Sequence, residues 1–146
     1  MKVRCINNEG AFLRNFEYDS MKNEGVSGRF GATGYTTYEE LTLGAEYLVM
    51  GVIIFKTHQG YLVDDGGFIS VCPCQLFEVI DDKVNTFWHF RLIDNEEDIY
   101  PFIQAIFGYP ELCADKMAYE NLIVNKEEVT ERIYFRRKIE LEKEYK

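Results

Sequence analysis

The chain has 146 residues, a net charge of −9 and 15% aromatic side chains. That length suits one domain with a proper core and leaves little room for two, and the acidic balance repels phosphate backbones, which argues against direct binding of nucleic acid. No apolar run of about 18 residues exists to span a membrane, and the opening MKVRCINNEG lacks the apolar stretch of a signal peptide, so the expected location is the cytoplasm, with the four cysteines as reduced thiols.

Residues Lys2 to Ile6 alternate, with Val3 and Cys5 on one side, and read as a first strand. Residues 7–40 are rich in Asn, Gly, Ser and Thr around the run GVSGRFGATGY. They read as a long surface loop with a short strand at Ala11 to Phe16; loops this long are often functional. Short strands then follow closely. Leu41 to Gly44 turns into a strand from Glu46 to Val52 that Ile53 to Lys56 continues, with Gly51 marking a bulge or a close approach. Gln59-Gly60 turns the chain into Tyr61 to Asp64. Asp65-Gly66-Gly67 signals a hairpin back through Phe68 to Val71, because the favoured two-residue turns need positive φ. Pro73 ends that strand, Cys74 to Leu76 forms a tight turn, and Phe77 to Ile80 and Phe87 to Ile93 read as two more strands.

The remainder reads as helical. Asp98 can cap a helix from Ile99 to Phe107 that tolerates Pro101 in its first turn and closes at Gly108. Pro110 suits the first position of a second helix running to Ile123, with Leu112, Met117, Tyr119 and Leu122 as its apolar side. Asn125 can cap a third helix, Lys126 to Glu144, whose apolar positions Val129, Ile133 and Tyr134 come early. Its pairs Glu128–Arg132, Arg136–Glu140 and Lys138–Glu142 stand four apart and support an exposed helix. The tail after Leu141 is expected to fray.

The charge is unevenly spread. Residues 94–125 carry seven acidic side chains and one basic one, so most of the excess sits in that segment. Such a segment attracts a basic partner, although acidity also simply favours solubility.

Other chemistry is weaker. Cys72-Pro73-Cys74 could hold zinc with His58 or His89, but structural zinc usually takes a second Cys or His pair, and none follows. A disulfide between residues two apart would be strained. No nucleophile–base motif, metalloprotease motif or phosphate-binding loop is present; the Gly-rich run from Gly25 to Gly34 lacks the P-loop lysine. His58 stands in a turn and is expected in solvent. Asp64-Asp65, Asp81-Asp82 and Glu96-Glu97-Asp98 each have a local reason in turn chemistry or a helix start. Trp88, flanked by Phe87 and Phe90, is expected mainly in the core.

The blocks LTLGAEY from Leu41, GYLVDDGG from Gly60 and PCQLFEVI from Pro73 resemble the SH3-like barrel of small bacterial and phage proteins, over residues 1–82. Ala45 stands where those proteins commonly have Lys, and the 7–40 loop is longer than theirs. Trp88, with GYPEL from Gly108 and YENL from Tyr119, is similar to small bacterial proteins that include immunity proteins encoded beside polymorphic or contact-dependent growth-inhibition toxins.

The fold expected is a single α+β domain over 1–146: an N-terminal SH3-like antiparallel barrel in 1–93 and two or three helices in 94–146. The resemblance implies a protein that binds and blocks one cognate toxin domain. The lack of catalytic and metal motifs makes the expected protein non-catalytic, without metal or cofactor, and its acidity points to a basic toxin, in particular a nuclease, blocked by occlusion. A monomer or weak dimer is expected. The acidic surface expected to meet the toxin comprises Asp81, Asp82, Glu96, Glu97, Asp98, Glu111, Asp115 and Glu120. The alternative is a phage or mobile-element accessory protein that binds a peptide or host factor in a barrel groove near Tyr61, Phe68 and Phe77.

Overall fold

Short apolar stretches, several of them alternating, pair Lys2–Cys5 and much of the chain from Glu46 to Gly108 into sheets. The computed structural model describes residues 1–99 and 101–145. Among them the strands are β1 (Lys2–Cys5), β2 (Glu46–Leu48), β3 (Gly51–Phe55), β4 (Gln59–Asp65), β5 (Phe68–Pro73), β6 (Phe77–Asp81), β7 (His89–Leu92) and β8 (Ile103–Gly108). The α-helices are α1 (Gly10–Leu13), α2 (Met117–Ile123) and α3 (Glu128–Glu142). The strands form two antiparallel sheets, ordered β2-β1-β6 and β5-β4-β3-β8-β7. Among the described residues no ladder joins them, so the expected barrel is not closed.

The five-stranded sheet has two different faces. One meets the smaller sheet: Val3, Cys5, Tyr47 and Val49 share a core with Val63 and Cys72. The other carries Ile53, Leu62, Ile69 and Ile106, which pack with Leu112, Leu122, Tyr134 and Leu141 from the C-terminal helical segments. Such layering, with helices on one face and a sheet on the other, is a usual α+β solution.

Glu46 to Lys56 is not one strand. Val49 and Met50 are buried where the chain crosses between sheets, and the Met50 N–H bonds to the Leu62 carbonyl at 2.8 Å. Gly51 is a close approach. It faces Gly108 across the ladder, and a Cβ on either would lie within 2.9 Å of Leu112 Cδ2. The glycine pair is a slot for that leucine. Gln59 and Gly60 lie inside β4, paired with Ile54 and Ile53, so the turn falls earlier in the chain. The Asp65–Phe68 hairpin forms as expected, with φ of 56° at Gly66 and 93° at Gly67.

Three helical expectations need correction. Residues 103–108, expected in a helix, form β8, which pairs with β3 on one side and β7 on the other; burial between two strands outweighed a weak helical pattern. Tyr100, within that expected helix, lies outside the described residues. Segment 94–146 is therefore not wholly helical. Pro110 opens only a 3-10 turn to Cys113, and the helix restarts at Met117, where Asp115 Oδ1 accepts the N–H groups of Met117 and Ala118 at 2.8 and 3.0 Å. Helix α3 starts after Glu127 rather than Asn125. Arg137, not Arg136, pairs with Glu140 at 3.1 Å, and Val129 is exposed. The tail forms a 3-10 turn whose Tyr145 ring lies 5.0 Å from the Lys2 ammonium; Lys146 lies outside the described residues.

The long 7–40 segment is ordered around one side chain. Ala11 to Phe16 is helix α1 and a 3-10 turn, not a strand. This places Arg14 in the interior, where its guanidinium donates to the carbonyls of Met21 and Val26 at 2.8 Å each and to that of Ala32, beside Glu17 at 3.7 Å. Backbone carbonyls that no strand uses thus find a buried donor.

Candidate protein-binding face

Strand β7 is the free edge of the larger sheet, and its polarity is inverted. In a half-buried strand the apolar side faces the protein and the polar side faces water. Here His89 and Arg91 share one side, and Arg91 is held against the protein: its guanidinium contacts Glu97 at 2.8 Å and the Cys113 carbonyl at 3.4 Å. Phe90 and Leu92 share the other side and are 60% and 74% exposed. Phe87, just before the strand, is 72% exposed. Trp88 and Phe107 support this surface. Their rings meet edge to face at 5.1 Å, and Phe90 lies 6.3 Å from Phe107. Trp88 is thus half-buried rather than a core residue, packing on the core shared by the two sheets and presenting its remainder here.

At the Trp88 end of the strand opens a cavity of about 250 Å³. Met50, Trp88, Tyr109 and Leu141 give it apolar walls, and Glu140 and Glu144 stand at its rim. Glu144 accepts a hydrogen bond from Asn85 at 2.8 Å, while Arg137 is already committed to Glu111 and Glu140. At the other end of the strand Asp94 and Glu96 are exposed, and Asp94 Oδ1 accepts the Glu96 N–H at 3.0 Å. Carboxylates therefore bracket an exposed aromatic strand at both ends.

The acidic residues singled out in the sequence do not form one surface. Glu111 accepts two hydrogen bonds from Arg137 Nε at 2.8 Å each; these bonds hold its carboxyl below the usual carboxylate range. Glu97 is taken by Arg91, and Asp98 pairs with Lys116 at 3.1 Å instead of capping a helix. Asp115 caps α2, and Glu120 is half-buried on that helix. Asp81 accepts the Lys83 N–H at 2.9 Å, beside the exposed Asp82. Of the expected set, Glu96 stands beside β7 with its carboxylate exposed. Sequence reasoning missed Glu144, which looked like part of an ordinary exposed helix and its fraying tail. It also read Phe87 and Phe90 as core flanks.

The Asp64-Asp65 pair does more than turn a hairpin. Asp64, its side chain 5% exposed, holds Lys138 at 2.8 Å and accepts the Tyr134 hydroxyl at 3.0 Å. Asp65 accepts hydrogen bonds from Tyr47 and Thr42, which lower its pKa. Both are structural ties.

The groups considered for catalysis lie apart. His58 is half-buried, stacked on Phe55 at 4.7 Å and edge-on to Phe30 at 5.3 Å; burial lowers its pKa. His89 is exposed on β7. Burial pushes the Cys72 thiol to about 12 and Cys74 to about 11, so neither is a ready thiolate. Among the described residues no three His, Cys, Asp or Glu side chains gather as metal ligands, and no helix is long and apolar enough to cross a membrane. No protein-family model, curated protein or solved structure matches the chain.

Proposed function

We propose that this chain is a non-catalytic binding protein of the immunity type, which neutralises a basic toxin domain by covering its active site. The observation that carries the reading is the inversion of β7: Arg91 is spent on internal contacts while Phe90 and Leu92 face water. Exposed aromatic and aliphatic side chains in a cluster mark interaction sites, and aromatic anchors dominate binding energy where they become desolvated. Asp94, Glu96 and Glu144 around them favour a partner rich in Lys and Arg, as a nuclease surface is. This moves the contact away from the acid-rich segment as a whole and onto one strand and its rim. The SH3-like part of the reading is kept in an opened form, in which β6 and β7 follow each other in the chain yet edge different sheets.

The alternative groove near Tyr61, Phe68 and Phe77 has less in its favour. Tyr61 packs edge-on to the buried Phe77 at 5.7 Å, and Phe68 lies 4.3 Å from the Lys126 ammonium.

The test is growth of cells that carry the toxic product of the adjacent gene together with this chain. The wild type restores growth, and the triple variant Phe87→Asp, Phe90→Asp, Leu92→Asp does not. Full protection by the triple variant removes β7 from the interface, and the absence of any toxic neighbour removes the neutralisation reading.

A further inference from the structure

The backbone of β7 is as available as its side chains. Leu92 opposes Ala105 in the ladder, and the Ile93 N–H bonds to the Gln104 carbonyl at 3.0 Å. In antiparallel pairing this makes Leu92 and Phe90 the non-hydrogen-bonded positions, whose N–H and C=O groups point away from β8. Among the described residues nothing bonds to them. Arg91, Glu97 and Cys113 gather on the strand's other face and leave this edge uncovered. Natural edges are usually blunted by charge, proline or a covering loop; this one presents Phe90 and Leu92.

Building on the protein-binding reading above, the geometry points to strand addition: an extended segment of the partner pairs antiparallel or parallel with β7 through the free groups of Phe90 and Leu92. Its alternate apolar side chains lie on Phe90, Leu92 and Phe107. A Lys or Arg at one end enters the cavity beside Glu144, and another meets Asp94 and Glu96. Main-chain bonds supply affinity in such complexes and the alternate side chains supply selection. At about 3.4 Å per residue, six to eight residues reach past both ends of the four-residue strand. Charge selects the occupant. A second copy of this chain would bring its own carboxylates against these, at −9 for each copy, whereas a basic segment complements them.

The probe is the synthetic peptide KVTVTVTK, capped at both ends and titrated into the ¹⁵N-labelled full chain. The expected result is shifts of the Phe90 and Leu92 amides and of the Trp88 indole N–H, the only indole present. EVTVTVTE should bind at least tenfold more weakly. Of two peptides N-methylated at the three valines or at the three threonines, one should lose binding, since only one set of amides faces β7. Leu92→Pro removes an N–H that β8 does not use, so it should abolish peptide binding while the β8 amides keep their positions. The inference is overturned by any of three results: no shift of the Phe90 and Leu92 amides at millimolar peptide, equal binding of the glutamate peptide, or unchanged binding of both methylated peptides. A free chain already dimeric through β7 overturns it as well. Loss of cell protection in the triple variant alongside any of these results keeps the face and discards the strand pairing.

Discussion

Lys138 on α3 reaches Asp64 on β4 at 2.8 Å, and the same carboxylate accepts the Tyr134 hydroxyl one helical turn earlier. This contact fastens the long helix to the five-stranded sheet at a site where Asp64 is almost wholly out of water. Removing one partner of a buried, hydrogen-bonded pair costs about 3–5 kcal/mol, because the other is left uncompensated. Asp64→Ala should therefore lower stability by that order. The midpoint of urea unfolding, followed by circular dichroism, checks it; a shift below about 1 kcal/mol would mean that solvent reaches the pair.

Arg14 has the same standing for the loop. Its guanidinium serves the carbonyls of Met21, Val26 and Ala32. Arg14→Met keeps the volume and leaves those acceptors without a donor, at about 1–3 kcal/mol for each unsatisfied group. Amides from residue 18 to residue 34 should exchange faster with deuterium, while those of β3 and β4 remain slow.

The glycine slot makes a sharper steric prediction. A methyl group on Gly108 meets Leu112 Cδ2 at 2.8 Å, the Met50 carbonyl at 3.0 Å and Gly51 Cα at 3.1 Å. Two of these three are backbone atoms and cannot step aside. Gly108→Ala should destabilise by about 1–3 kcal/mol, the range for overpacking. The double variant with Leu112→Ala should recover part of the strain and lose packing, so the two effects should be non-additive in thermal unfolding.

His58 gives stability a pH dependence with a definite sign. Burial beside Phe55 and Phe30 lowers its folded pKa below the unfolded value of about 6.5. As pH falls, the unfolded chain takes up the proton first. The contribution is fully present above pH of about 6.5 and is lost as pH falls toward the folded pKa. His58→Gln should flatten the fall in the urea midpoint between pH 7.5 and 5.5. Glu111 acts lower: its pKa is depressed by Arg137, so its contribution fades only as pH falls below the ordinary glutamate range.

Strands with strong turn chemistry were legible from sequence. The hairpin at Gly66-Gly67 and the strands on either side follow from alternation and the need for positive φ. Strand β8 was not, because IQAIFG carries no alternation that separates it from a buried helix, and only its place between β3 and β7 decides. The site was half legible. Trp88, Phe90 and Leu92 alternate with His89 and Arg91, so an apolar side of β7 is plain in the residues. Which side the rest of the protein covers depends on Cys113 and Glu97, brought to Arg91 by tertiary folding. Acidic residues were easy to count, yet their partners Arg137, Arg91 and Lys116 lie 26, 6 and 18 positions away.

If β7 binds a toxic partner as proposed, the affinity of the purified toxic product of the adjacent gene for two forms of this chain tests it most directly. Phe90 and Leu92 are exposed, so Phe90→Asp with Leu92→Asp should leave the unfolding midpoint within about 1 kcal/mol of the wild type. Isothermal titration should show binding weakened about 100-fold or more, as expected when two central anchors are lost. Equal affinity of the folded double variant would contradict the account.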